Sequence, residues 1–309
     1  MNTKSNLKRV LEAGYFAVTA ELSPPQNADP EVIRRKASIL KGYIDAFNVP
    51  DGQSAVVAMA SWAACIIGKQ EGLDAIVHMT CRDRNRIALQ MDILGIAALG
   101  VNNILCLSGD PVSFGNNPEA KHVFDVDSVQ LIKILRDLRD EKRFQNGEPI
   151  TGREPRFFVG AVANPFLDPE NQVIRLAKKV EAGAEFIQTQ AIYDTEKFGK
   201  WMEMVRDKGL HHKISILAGI TPLKSSGAAR YMKAEIPGID IPDGLIERLR
   251  SFRTKEQVSR EGVKIAVETI NRVKEIEGVA GIHIMPLEWE EAIPQICQAS
   301  GLYPRPFPE

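Results

Sequence analysis

Eight short apolar runs recur along this chain. Each is closed by glycine, proline or a polar residue and followed by a stretch of helical periodicity. The runs lie at 15–22, 45–49, 75–80, 103–107, 157–163, 185–190, 213–218 and 281–285. Helices are expected at 31–40, 58–68, 85–99, 128–140, 170–182, 195–208 and 288–300, with a short one within 1–14 and two or three within 224–276. Strands that alternate with helices and cross over right-handedly close most simply into a ring. The fold expected is therefore α/β, a single (β/α)8 TIM barrel with an extra N-terminal helix and extra helices before the last strand. Such a barrel takes about 250 residues, so the 309 residues are read as one domain over 1–309. An open doubly wound sheet is the rival. The turn after the first strand is Ser23-Pro24-Pro25, and the chain holds neither GxGxxG nor GxxxxGK[ST].

The bulk properties exclude several classes. Thirty-nine basic and 40 acidic residues leave a formal net charge of −1, which gives no reason to expect a nucleic acid or an anionic membrane as partner. The longest apolar stretches fall short of the ~20 residues that span a bilayer, and a cytoplasmic location is expected. Cys65, Cys81, Cys106 and Cys297 form no CxxC pair and no zinc spacing, so buried reduced thiols and no metal site are expected.

Chemistry concentrates where the strands end, because the strand C-termini of parallel α/β folds face the ligand. This gathers Glu21, His78, Thr80, Asp110 and Gln190 around one mouth. Glu21 closes the run Val18-Thr19-Ala20-Glu21. It reads either as a general acid whose pKa is raised by desolvation or as a strand-end carboxylate paired with a base. Asp110 sits on the Gly109–Pro111 turn before a long loop, 109–124; it is a ligand-binding carboxylate or the cap of a turn. His78 and Thr80 share a strand face and line a ligand or fill the interior. Gln190 can both donate to and accept from a heterocycle edge. Lys178 and Lys179 are by default solvent-facing on their helix.

Several segments in order resemble the methylenetetrahydrofolate reductase family. They are Ala20-Glu21-Leu22-Ser23-Pro24-Pro25, His78-Met79-Thr80-Cys81, Ser108-Gly109-Asp110-Pro111, Lys179-Val180-Glu181-Ala182-Gly183-Ala184, Thr189-Gln190 with Tyr193-Asp194, Ala218-Gly219-Ile220-Thr221-Pro222 and Pro286-Leu287-Glu288. The resemblance implies a flavin-dependent barrel that reduces 5,10-methylenetetrahydrofolate to 5-methyltetrahydrofolate by hydride transfer from reduced flavin. It implies FAD, with FMN as the alternative. By position it makes Glu21 the general acid and Asp110 the acidic residue near flavin and pterin. It puts His78, Thr80, Gly109, Asp127, Asn164, Asp168 and Lys179 at the flavin and Gln190 at the folate. Asn164 stands where enterobacterial members carry an aromatic residue, Asp168 where they carry a histidine, Ser226 where they carry the aromatic over the nicotinamide, and Trp289 where an arginine is expected. The electron donor is accordingly open between NAD(P)H and a partner subunit or ferredoxin, as in the acetogen-type branch, and an oligomer is expected. A non-catalytic folate-binding or assembly subunit of a larger redox complex is the alternative function.

Overall fold

The computed structural model describes residues 5–236 and 238–307. Eight parallel strands, β1 (Ala17–Glu21), β2 (Ala46–Val49), β3 (Ala75–Thr80), β4 (Asn103–Leu107), β5 (Phe158–Ala163), β6 (Phe186–Ala191), β7 (Ser215–Ile220) and β8 (Val279–Ile284), close in sequence order into a barrel. Around them run α1 (Asn6–Glu12), α2 (Pro30–Leu40), α3 (Ser61–Gln70), α4 (Arg86–Ala98), α5 (Ser128–Arg136), α6 (Pro169–Ala182), α7 (Thr195–Asp207), α8 (Ser226–Glu235), α9 (Asp243–Arg250), α10 (Lys255–Lys274) and α11 (Ala292–Ala299). The expected architecture is thus observed, including the helix before β1 and the additional helices α8 and α9. Positions 1–4 of the expected first helix lie outside the described residues.

Local chemistry sets the element ends. Asp29, Asn85 and Asp194 accept backbone N–H bonds at the starts of α2, α4 and α7, and Asp127 closes a capping box with Gln130 on α5. α2 buries Ile33, Lys36, Ala37 and Leu40, one stripe at helical spacing. α5 stops four residues before the expected end and passes into one π turn, Asp137–Glu141. The last helix starts four residues later than expected. Leu287 and Glu288 take left-handed backbone angles (φ 49° and 61°), and Lys36 Nζ ties Glu288 (2.6 Å) and Glu290 (2.8 Å) to the underside of the first loop. β7 and β8 each lie two residues off their expected starts, where the ladder between them shifts register.

Alternation along the strands divides the molecule into two apolar zones. Outward residues such as Val18, Phe47, Val77, Ile104, Val159, Ile187, Ile216 and Ile282 pack under the helices. Inward residues Ala17, Ala46, Ile76, Phe158, Phe186 and Leu217 fill the floor of the barrel, with Leu7 and Val10 of α1 as a plug. Phe158 and Phe186 stack at 4.8 Å. Gly160 leaves the space that the Phe186 ring occupies; a Cβ there would lie 2.2 Å from it. Two residues further along β1, β2, β3 and β6, the inward positions turn polar, as Thr19, Asn48, His78 and Gln188.

Candidate active site

Above the apolar floor, a buried polar layer crosses the barrel. Thr19 and His283 are register partners on β1 and β8, and Glu21 pairs with Asn48 across β1 and β2. Gln188 Nε2 donates to Thr19 Oγ1 (3.0 Å) and to Asn48 Oδ1 (3.1 Å), while Asn48 Nδ2 donates to Gln188 Oε1 (2.8 Å). Asn48 Nδ2 also lies 2.9 Å from His78 Nε2. An amide N–H2 only donates, so His78 Nε2 is the acceptor and its ring proton sits on Nδ1. Burial agrees: it lowers the His78 pKa to about 4, against the pull of Glu21.

The layer supports a rim cavity of about 590 Å³ at the strand C-termini, within the range of small-molecule sites. Glu21, His78, Thr80, Gly109, Asp110, Asn164, Lys179 and Gln190 all line it, so the structure brings together eight of the ten residues singled out from sequence. Asp127 and Asp168 do not line it. Asp127 is exposed and caps α5. Asp168 is exposed at the start of α6, held by Asn171 Nδ2.

Glu21 is 9% exposed, with Oε1 3.6 Å from His283 Nε2. The raised pKa expected from sequence is reversed. Burial by itself raises it, but the nearby His283 ring outweighs that and holds the carboxyl below its ordinary value. Asp110 is exposed, and its Oδ2 accepts from the Ser54 backbone N–H at 3.2 Å. Gly109 makes this turn possible with φ 93°; a Cβ there would meet Thr80 Cβ at 3.1 Å and Arg82 Cβ at 3.0 Å. Gln190 is half-buried and accepts from Ala191 N–H. Asn164 Oδ1 accepts from Phe166 N–H at 3.1 Å.

Two residues behave differently from expectation for the same reason, a neighbour distant in sequence. Lys179 is 6% exposed rather than solvent-facing; its Nζ donates to the Val162 carbonyl at 2.6 Å. Burial, with Arg175 beside it, lowers its pKa to about 8. Thr80 gives its hydroxyl to Asp51 Oδ2 (3.0 Å) and its backbone N–H to the same oxygen (2.9 Å).

Asp51 is the hub that sequence reasoning missed. It also accepts two bonds from Arg84 (2.7 and 3.2 Å). Burial raises its pKa, and Arg84 together with Thr80 more than offsets that. Arg82, 4% exposed, spans Gly52 O (3.1 Å) and Asp110 O (3.3 Å). Polar residues inside otherwise apolar strands, Thr19, Asn48 and His283, were the visible signal for the crossing layer.

The comparisons agree with this architecture. Residues 6–301 match the family model described as methylenetetrahydrofolate reductase. "Methylenetetrahydrofolate reductase 2" of Schizosaccharomyces pombe is 26% identical over 293 residues, covering 90% of this chain and 43% of that protein. "5,10-methylenetetrahydrofolate reductase" of Pectobacterium carotovorum is 23% identical over 303 residues, 94% of this chain and 92% of that one. The chain therefore spans under half of the yeast relative. A Clostridium thermocellum protein described as binding two copies of 5-methyl-5,6,7,8-tetrahydrofolic acid shares the fold, with TM-score 0.66 and 16% identity over 96% of this chain and 99% of that one. With the family model matched from the first helix to the last, this chain belongs to the methylenetetrahydrofolate reductase family.

Proposed function

We propose that this protein reduces 5,10-methylenetetrahydrofolate to 5-methyltetrahydrofolate with a flavin held in the barrel mouth, and that residues 1–309 act as one barrel domain. The observation that carries the reading is the convergence of Glu21, Asp110 and Gln190 with a cationic wall on one cavity. The fission-yeast and Pectobacterium relatives bear the name of this activity, and the Clostridium neighbour is described with the product bound.

The residues present fit a flavin nucleotide. Arg175 and the buried Lys179 stand on the wall formed by α6, where burial and the neighbouring Arg175 disfavour the Lys179 charge until an anion joins them; they would hold its phosphate. His78 offers Nδ1–H as a neutral donor, and the Gly109 backbone permits close approach of a flat ring. When bound, the flavin supplies the two-electron hydride chemistry that no side chain here can provide. FAD is the form inferred, with FMN as the alternative to be separated by extraction. NADH, NADPH and reduced ferredoxin are the donors to compare.

On the folate side, the residues divide the work by charge. Gln190 can hold the pterin edge, and Asp110 can exchange its Ser54 N–H for a pterin N–H. Glu21 rests ionised; the added burial when folate covers it favours uptake of a proton, which it can then deliver to the amine nitrogen expelled when the five-membered ring opens. The cation left on the methylene carbon is then stabilised by the two carboxylates.

Asp110→Asn tests the assignment. Losing a charge-assisted hydrogen bond costs about 1.5–3 kcal/mol, so folate reduction should slow about 10- to 100-fold while reduction of the flavin by its donor is unchanged. Rapid-mixing measurements of the two half-reactions check this; equal slowing of both would make Asp110 a structural turn.

A further inference from the structure

We infer that Arg82 is a positioning residue that presents the Asp110 carboxylate to the folate, by clamping the loop after β4 to the loop after β2. The inference rests on the proposed role of Asp110 and extends it to a side chain whose own donors are committed to the protein.

Asp110 needs such a support. It is exposed, and among the described residues its carboxylate accepts from the Ser54 backbone N–H at 3.2 Å. That donor stands on the other loop in an unusual backbone. Ser54 and Ala55 take left-handed angles (φ 53° and 56°), which residues with a Cβ rarely adopt. Such angles persist where the surroundings fix them. The two loops also touch: a Cβ on Gly115 would lie 2.0 Å from the Ala55 carbonyl oxygen. The aim of the Asp110 carboxylate is thus set by how one loop sits on the other.

Arg82 lies where they meet. β3 is the strand between β2 and β4 in the barrel, so the residues that follow it emerge between the two loops. The side chain is buried, and its Nη1 donates to both of them, to Gly52 O at 3.1 Å and Asp110 O at 3.3 Å. The other edge, Nε and Nη2, forks onto the Asp83 carboxylate (2.9 and 2.8 Å), which fixes the plane of the group. Each loop brings a glycine against the arginine. A Cβ on Gly52 would lie 2.5 Å from Nη2, and one on Gly109 would lie 3.0 Å from Arg82 Cβ. A lysine, a point charge on a flexible stem, could not serve two carbonyls and a carboxylate from one plane. The guanidinium keeps its charge at any working pH, so the clamp has a single state.

Tetrahydrofolate is the probe, because it carries the pterin but no one-carbon group to react. Its affinity for the folded, flavin-loaded protein is measured anaerobically by calorimetry. Arg82→Ala and Asp110→Asn should each weaken binding about tenfold, the worth of one charge-assisted hydrogen bond. The double variant should be no weaker than either single one, because Arg82 acts through Asp110. A role in folding alone would lower thermal stability and leave the affinity of the folded protein unmoved. Asp83→Asn, at a half-exposed carboxylate, should give a smaller loss that also vanishes in the Asp110→Asn background. It takes the place of Arg82→Ala if that variant fails to fold. Losses that multiply in the double variant, or wild-type affinity in the single one, would overturn the inference while leaving the folate reading intact. A wild type that binds no tetrahydrofolate would overturn both.

Discussion

Replacing Glu21 by glutamine should slow folate reduction about 10²- to 10⁴-fold, the range expected when a general acid is removed. Glutamine keeps the size and hydrogen-bonding reach of the side chain but has no proton to give. It also removes one of the two carboxylates that would meet the cation formed on the folate. Flavin content and thermal stability should be unchanged, because the residues assigned to the flavin, from His78 to Lys179, hold their positions through bonds that do not involve Glu21. Single-turnover reduction of the folate, followed anaerobically, measures the effect. Near-normal turnover would remove Glu21 from the mechanism.

The second large effect concerns the support beneath the site. Arg84→Met should destabilise the fold by about 3–5 kcal/mol at pH 7, the cost of leaving one member of a buried ion pair without its partner. Asp51 would then be a buried carboxylate held, among the described residues, by Thr80 and Ser61. The pH dependence has a definite sign. In wild type the Asp51 pKa lies below its ordinary value of 3.8. Its stabilisation is complete above that value and is lost as pH falls through the lower folded one. In the variant the unpaired carboxylate prefers its proton, so the deficit relative to wild type should shrink on acidification, starting above the ordinary value of 3.8 and continuing down to the lowered wild-type pKa. Chemical denaturation at neutral and acidic pH measures both terms; a loss under about 1 kcal/mol at pH 7 would mean that the pair behaves as a solvated surface contact.

The barrel was legible because its signal is local. Each strand announces itself by a short apolar run and a Gly, Pro or polar stop, and each of the helices α2, α4 and α7 by a capping Asp or Asn. The rim followed from the fold, since once strands close in order their ends must meet. What sequence could not show was the state of each group there. Thr19 and His283 lie 264 positions apart and Asn48 and Gln188 lie 140 apart, so the contacts that reverse the Glu21 pKa and fix the His78 tautomer exist only after closure. For the same reason Lys179 reads as a surface charge although it is buried. Asp51 followed a proline at the end of a short strand and looked like an ordinary turn residue. The late start of α11 depends on Lys36 reaching across from α2, another contact without a local signature.

The central claim is that the barrel mouth brings a flavin and a folate together for hydride transfer. Anaerobic addition of 5-methyltetrahydrofolate to the flavin-loaded protein tests it most directly, because the reverse of the proposed reaction must reduce the flavin and discharge its visible absorbance. Bleaching in wild type, absent in Glu21→Gln, is the result expected. A colourless protein that binds the folate, or a yellow one whose spectrum does not change with the folate bound, would contradict the account and favour a folate-binding subunit without its own redox chemistry.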